Sequence, residues 1–354
     1  MNHFVQQVLP LGASVVIFDR LSSYESLCTV HGGRHISIDF DHPICSNPFV
    51  GPFDASHRAF LARLLTAMAS QDEDHISVEE RGVFAEALGI FTQNLPHDRE
   101  PTLSDFIPIL RDTSFEWVDQ GRRLALRLAP FYGDGPYAGF VDGPNAFKLH
   151  ERLTVIELSQ LREAPDLQTV LMLVLMHHLT LYFAAPARRN HRKYMFNDEV
   201  WALMQHPVSA RILVEMARTF RKLRTSAIFI SQQGTDYAGP TGQAIKANTS
   251  VAYFLQQDGG EIEMLRTLFD LTPAEADLLK TVHRRPHWSE AYLRTPEHQG
   301  GIVRIVPDPY LRLMATQDPV ELAAREAALE AADGDLHAAL CQLAHDDLLK
   351  KELL

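Results

Sequence analysis

The chain has 354 residues, 46% of them apolar and 22% charged, with a formal net charge of −12. These proportions suit a globular chain of about two domains, or one domain with a large insertion. They exclude a broadly basic nucleic-acid surface, though not a local basic stripe.

Residues 1–9 read as the end of a helix stopped by Pro10 and Gly12, so the chain is expected to start inside an element. Ser14–Asp19 (SVVIFD) is a β-branched run that predicts a buried strand ending in Asp19. A short helix over 22–30, a His31-Gly32-Gly33 turn and an alternating strand over 36–40 follow. The connector 41–53 is rich in proline and glycine and contains Asn47-Pro48-Phe49. From about 54 the pattern turns helical: Phe60, Leu61, Leu64, Leu65 and Met68 share a face, and Ser77 with Glu80 forms a capping box. Further helical pattern covers 103–110 and 115–128, and the segment 131–145 carries too much glycine and proline for a regular element. Residues 153–157 (LTVIE) predict the next strand, and 166–184 a helix apolar on most faces. No apolar run is long enough to span a bilayer; 170–183 comes closest, but it is too short and His177-His178 interrupt it. The N-terminus lacks the charged and apolar regions of a signal peptide. The three cysteines, Cys28, Cys45 and Cys341, show no CxxC spacing, which suits a reducing compartment.

The stretch 193–201 (KYMFNDEVW) carries the chemistry. It reads as a buried strand ending in two adjacent carboxylates, Asp198 and Glu199. One can hold Mg²⁺ through water and the next can polarise an attacking water. A cationic amphipathic helix over 208–224 follows, bearing Arg211, Arg218, Arg221, Lys222 and Arg224. A second apolar strand, 226–230, closes on Ser231-Gln232-Gln233. Strand, acid pair, helix, strand and polar amide make half of a phosphate-hydrolysing α/β motor; the bland alternative is an ordinary βαβ unit with a solvated acid pair. Beyond it come a short helix near 242–248, a strand over 251–255, a helix opened by Thr272-Pro273, a last strand over 301–306 and a helical tail over 318–354. That tail is either a subunit-contact element or a cap on the core. Seventeen histidines are present, but no HExxH or Cys/His cluster supports zinc, and His177-His178 read as packed core residues. Trp117, Trp201 and Trp288 read as packing residues.

Taken in order, these residues resemble the C-terminal motor domain of the conjugative type IV secretion ATPases of the TraC and VirB types. The resemblance rests on Asp19 with Ser23-Tyr24 and Leu27-Cys28, on Gly32-Gly33 and on Asn47-Pro48-Phe49. It continues through 133–137 (GDGPY), Glu157-Leu158 with Leu161, and 198–203 (DEVWAL), which is similar to a Walker B segment. Residues 218–222 (RTFRK), Gln232 with Asp236-Tyr237, Asn248 and Asp308-Pro309-Tyr310 complete it, the last standing where the family carries DPF.

The resemblance implies an α/β fold: a RecA-like P-loop NTPase sheet with an inserted all-α subdomain and a helical C-terminus. On that reading 1–53 and 146–317 are the two parts of the core, 54–145 is the helical insertion, and 318–354 are C-terminal helices. The implied cofactors are ATP and Mg²⁺. Asp198 would hold Mg²⁺ through water, Asp19 would lie in the nucleotide site, Glu199 would activate the attacking water and Gln232 would sense the γ-phosphate. Arg218 or Arg221 would neutralise developing charge, in cis or from a neighbouring subunit. The implied assembly is a homo-hexamer at the cytosolic face of the bacterial inner membrane. It would work with other secretion subunits and act indirectly on a DNA–relaxase substrate.

No GxxxxGK[ST] occurs in the sequence. The chain is therefore expected to begin just after the family's phosphate loop and to be weakly active or inactive by itself. The strand before that loop would lie beside the strand 226–230, leaving that strand with an unpaired edge. Asn197, where the family has an apolar residue, hints at relaxed constraint. The alternatives are a non-catalytic scaffold or relic of the secretion apparatus, and a DNA-pumping motor of the coupling-protein class, which the net charge disfavours.

Overall fold

The computed structural model describes residues 1–70, 76–112, 114–198, 204, 207–285, 287–296 and 300–352. The chain divides into two compact units. One comprises 1–36, 150–157 and 190–354; the other comprises 37–149 and 158–189.

The first unit is built on a five-stranded sheet. Its strands are β1 (Ser14–Asp19), β2 (Arg34–Ser37), β3 (Leu153–Glu157), β4 (Lys193–Asn197) and β5 (Thr225–Phe229), in the order β2-β3-β1-β4-β5. β1 pairs in parallel with β3 on one side and β4 on the other, so that Val16 faces both Thr154 and Met195. β4 pairs in parallel with β5, with Phe196 opposite Ile228. Every residue of β1 is buried. A parallel strand covered on both faces needs such a continuous apolar run, and SVVIFD supplies it. The expected strand over 36–40 instead occupies Arg34–Ser37, immediately after the double glycine. Gly32 has φ +58°, and a Cβ on Gly33 would come within 2.9 Å of both Cys28 Sγ and the Leu153 carbonyl oxygen. The double glycine thus turns the chain and lets it pass close to β3.

One face of this sheet packs on a cluster that includes Val5, Leu9, Leu27, Val155 and Leu311, together with Leu340 and Ala344. The last two lie on the helix Leu336–Glu352, so that part of the tail caps the core. The preceding helix, Pro319–Ala331, buries none of its residues.

Two expected strands belong elsewhere. β6 (Ala252–Phe254) and β9 (Gly300–Ile305) both pair antiparallel with β8 (Trp288–Arg294), which also pairs with the two-residue β7 (Arg284–Arg285). This second sheet and the helix Gly259–Phe269 are absent from the sequence reading. β8 mixes Glu290 and Arg294 among its apolar residues, so its pattern is weak. Tertiary partners supply what the pattern lacks: Glu290 pairs with Arg304 at 2.8 Å, and Tyr292 donates its hydroxyl to Glu275 at 2.9 Å. Gly300 is required here, because a Cβ would sit 2.2 Å from the Tyr292 hydroxyl. Trp288 lies under the Arg304 guanidinium, 4.3 Å from its carbon.

The second unit is helical. It contains α1 (Ala55–Ala69), α2 (Val78–Gln93), α3 (Leu103–Arg111), α4 (Val118–Arg127), α5 (Ala138–Val141) and α6 (Pro165–Ala184). The capping box at Ser77 forms as read, with Ser77 N donating to Glu80 at 2.9 Å and Glu80 N to Ser77 at 3.1 Å. The Asn47-Pro48-Phe49 turn is held by Asn47, whose amide donates to the Pro101 carbonyl at 2.9 Å and whose oxygen accepts from Phe49 N at 2.9 Å. This drives the fully buried Phe49 edge-on against Phe91, with ring centroids 5.6 Å apart. α6 corrects the sequence reading: at 20 residues it is long and apolar enough, by length and composition, to cross a membrane, and 56% of its most apolar window is buried in the fold. Trp117 is a second correction. It is 38% exposed, and its Nε1 donates to Glu86 at 2.9 Å. Trp201 lies outside the described residues.

Candidate active site

Parallel strands carry their ligand-facing loops at their carboxyl ends. At that edge of the first unit's sheet, acids end three neighbouring strands: Glu157 on β3, Asp19 on β1 and Asp198 just after β4. Asp19 is fully buried. Its two oxygens accept from Leu21 N at 3.0 Å and Tyr24 N at 3.1 Å. Burial pushes the Asp19 carboxyl above its ordinary pKa; the backbone donors pull it down, and the nearby Asp198 charge adds a further push upward.

Asp198 continues the ladder, donating its N–H to the Phe18 carbonyl at 3.1 Å. Its Oδ2 accepts from the Tyr24 hydroxyl at 2.6 Å. Tyr24 therefore ties the two acids together, its backbone on Asp19 and its phenol on Asp198. Glu157 is held similarly: Ser22 Oγ donates to it at 2.5 Å, and His35 Nε2 stands 3.5 Å away. Ser22 adopts a left-handed φ of +54° to make this turn. Tyr24 and Glu157 stand in the sequence motifs of the resemblance, and the structure adds them to the site. The only local signal was an acid closing each of two neighbouring strands.

Asn197 is fully buried, and its amide donates to the Ile228 carbonyl at 3.2 Å. It thus fastens β4 to β5, which supplies a structural role for the polar residue that the sequence reading took as relaxed constraint. Beyond β5, Ile230 N donates to the Asn197 carbonyl at 3.0 Å, bringing the chain to the same edge. The loop that follows is pinned by Ser231 to Asp236, by Tyr237 OH to the Phe229 carbonyl at 3.2 Å, and by Gly234 N to Glu261 at 2.5 Å. Gln232 is exposed on this loop, one strand over from Asp198.

Arg218 and Arg221 lie elsewhere. The helix Pro207–Thr219 runs back from the Asp198 edge, and the turn Phe220–Leu223 hands the chain to the start of β5. There the buried Lys193, first residue of β4, donates its Nζ to the Leu223 carbonyl at 2.7 Å. Both arginines are exposed near that opposite edge, one five-residue strand, roughly 16 Å, from Asp198. Within one copy of the chain the sheet therefore separates them from Asp198. Glu199 lies outside the described residues.

The residues fit part of a metal–nucleotide site. Asp198, with Asp19 beside it, suits a cation held through water, since Mg²⁺ keeps several waters and takes one or two carboxylates. Among the described residues no group of three His, Cys, Asp or Glu side chains forms a direct metal cage.

Residues 1–305 match the model of the TraG P-loop domain. The chain belongs to that family, the conjugative type IV secretion ATPases. It is 21% identical over 306 residues to the type IV secretion system protein VirB4 of Brucella abortus, and equally to that of Brucella suis. The matched stretch covers 84% of this chain and 35% of each of those proteins, so the chain spans about a third of their length. The solved structure of VirB4 from Thermoanaerobacter pseudethanolicus superposes with a TM-score of 0.68 at 22% identity, covering 88% of this chain and 86% of that one. The shared fold is the P-loop NTPase fold, a parallel sheet with helices.

Proposed function

We propose that this chain is the motor portion of an ATPase that drives pilus assembly and conjugative transfer through a type IV secretion system. It contributes the metal-and-water side of the nucleotide site. The observation that carries this reading is the pairing of Asp19 and Asp198 on adjacent parallel strand ends, coupled through Tyr24.

In this reading bound Mg-ATP supplies a γ-phosphoryl group for transfer to water. Asp198 would hold Mg²⁺ through water, and the Tyr24 hydroxyl positions its carboxylate. Glu199 accepts a proton from the attacking water, and Gln232 meets the γ-phosphate from the β5 loop. Arg218 and Arg221, at the far edge, act only on the site of a neighbouring copy in a hexameric ring. The ring works at the cytosolic face of the inner membrane with other secretion subunits.

The test is Mg-ATP titration by calorimetry, with Glu199→Gln as the turnover-blocked sample, alongside a transfer assay in cells that depend on this protein. The reading expects binding that weakens at least about tenfold in Asp198→Asn, and loss of transfer in Glu199→Gln with the fold intact. The absence of GxxxxGK[ST] from the sequence favours a second reading, a non-catalytic scaffold. Unimpaired transfer in Glu199→Gln would establish that scaffold and overturn the motor.

A further inference from the structure

The three cysteines sit in contrasting surroundings. Cys28 is buried in the core cluster, and burial pushes its thiol up to about 11. Cys45 is half-buried, and burial pushes its thiol up to about 12, with Asp142 and Glu100 adding to the effect. Both are held as unreactive thiols at neutral pH. Cys341 is exposed on the helix Leu336–Glu352. His337 lies one turn before it, with Nε2 3.8 Å from the Cys341 sulfur. The other ring nitrogen, Nδ1, is 2.7 Å from the Tyr310 hydroxyl, and the two rings meet edge to face at 5.5 Å.

Tyr310 is placed by its own motif. Asp308 caps the helix Pro309–Met314, accepting from Leu311 N at 2.7 Å, and Pro309 opens it.

We propose that Cys341, His337 and Tyr310 form a thiol-exchange site for small solvent-borne disulfides. The arrangement has a nucleophile within reach of a base, and the base oriented by a third group. With its proton on Nδ1, His337 donates to the Tyr310 oxygen and turns the Nε2 lone pair toward the thiol. As the Cys341 sulfur attacks one sulfur of the disulfide, its proton passes to Nε2. The disulfide S–S bond breaks, and a mixed disulfide forms on Cys341. The departing sulfur leaves with the electron pair and takes the proton from the imidazolium. Burial raises the Tyr310 hydroxyl pKa, and Cys341 adds to the effect, as do the nearby carboxylates Asp308 and Asp335. They also disfavour anionic reagents, so the neutral 4,4′-dithiodipyridine is the probe of choice.

The experiment follows thione release from the folded chain at neutral pH. One fast equivalent per chain is expected, and it disappears in Cys341→Ser. His337→Ala should slow that phase about fivefold, below the ~10²–10⁴ of enclosed general bases because the site is open to water. Free imidazole should restore the rate in that variant, which a packing role for His337 would not allow. Tyr310→Phe, which keeps the ring, should slow it about twofold. An unchanged rate in both variants, or no rescue by imidazole, overturns the proposal.

Discussion

At the sheet edge of the first unit, Asp19 is buried as an acid and depends on backbone donors from Leu21 and Tyr24. In the helical unit, His57 is buried and His177 and His178 are half-buried, and desolvation favours the uncharged ring in all three. His177 stacks on Phe60 with centroids 3.7 Å apart and lies 5.3 Å from His57. His178 meets Ser46 Oγ at 3.1 Å, and His57 Nε2 donates to the Pro48 carbonyl at 2.9 Å while its Nδ1 accepts from Phe53 N at 3.3 Å. Burial lowers His177 to about 3 and His178 to about 4, with neighbouring charges adding to the first. The acid edge leaves Asp198 and Glu157 partly exposed, where water and a cation can meet them, with Asp19 buried behind. The histidine core turns ionisable groups into packing. The same desolvation acts on both, and the local donors and acceptors decide whether a chemical site or a core results.

The largest expected effect breaks the packed region alone. Phe49→Ala empties the centre of the Asn47-Pro48-Phe49 turn and should cost about 3–5 kcal/mol. Denaturation followed by Trp117 fluorescence, with Trp201 and Trp288 replaced by phenylalanine, reads the helical unit. An unchanged midpoint there would remove Phe49 from its core.

Acid should separate the two regions by sign. His177 and His178 have folded pKa values below the unfolded value near 6.5, so their contribution is complete above that pH. It is lost as pH falls through 6.5 toward 4. Asp19 has a raised folded pKa, so its contribution is present below the ordinary carboxylate value and is lost as pH rises through the folded one. Unfolding midpoints should therefore fall for the Trp117 probe on acidification. His177→Phe should flatten that fall, and Asp19→Asn should leave it unchanged. A Trp117 midpoint that holds steady from pH 7 to 4 would contradict the assignment of neutral, desolvated rings.

Tyr24→Phe tests the coupling of the acids. It removes a 2.6 Å hydrogen bond to a carboxylate, which is worth about 1.5–3 kcal/mol. The expected loss is of that size in urea unfolding read by Trp288 fluorescence. A difference below about 0.5 kcal/mol would show that Asp198 is solvated rather than held.

The smallest effect belongs to Asn197→Leu. The substitution deletes the bond to the Ile228 carbonyl but also removes a buried Oδ1 that has no partner among the described residues. One bond of about 1 kcal/mol against an unsatisfied oxygen of about 1–3 kcal/mol predicts a change near zero or a gain. A loss above about 2 kcal/mol would give Asn197 a role that this bond does not explain.

Much of the site could be read locally. SVVIFD and KYMFN announce buried strands, the first ending in Asp19 and the second followed by Asp198, because strand period and burial are properties of a few consecutive residues. The contacts that finish the site were not legible. Tyr24 and Asp198 are 174 positions apart, and Ser22 and Glu157 are 135 apart. Such pairs meet only once β1 lies between β3 and β4. The arginines show the opposite case. Arg218 and Arg221 look close to Asp198 along the chain, but the intervening helix carries them to the other end of the strands.

Local sequence was enough for the α/β class, the acids at the strand ends, the helix caps at Ser77 and Thr272, and the family motifs in their order. These depend on local periodicity, local hydrogen bonding and residue type. Only the tertiary structure decided that β6 and β9 join β8 in a second sheet, that Leu340 caps the core, and that Tyr310 reaches His337. Those outcomes depend on pairing and packing between distant segments, where several partners satisfy the same local pattern and only the complete set of contacts selects among them.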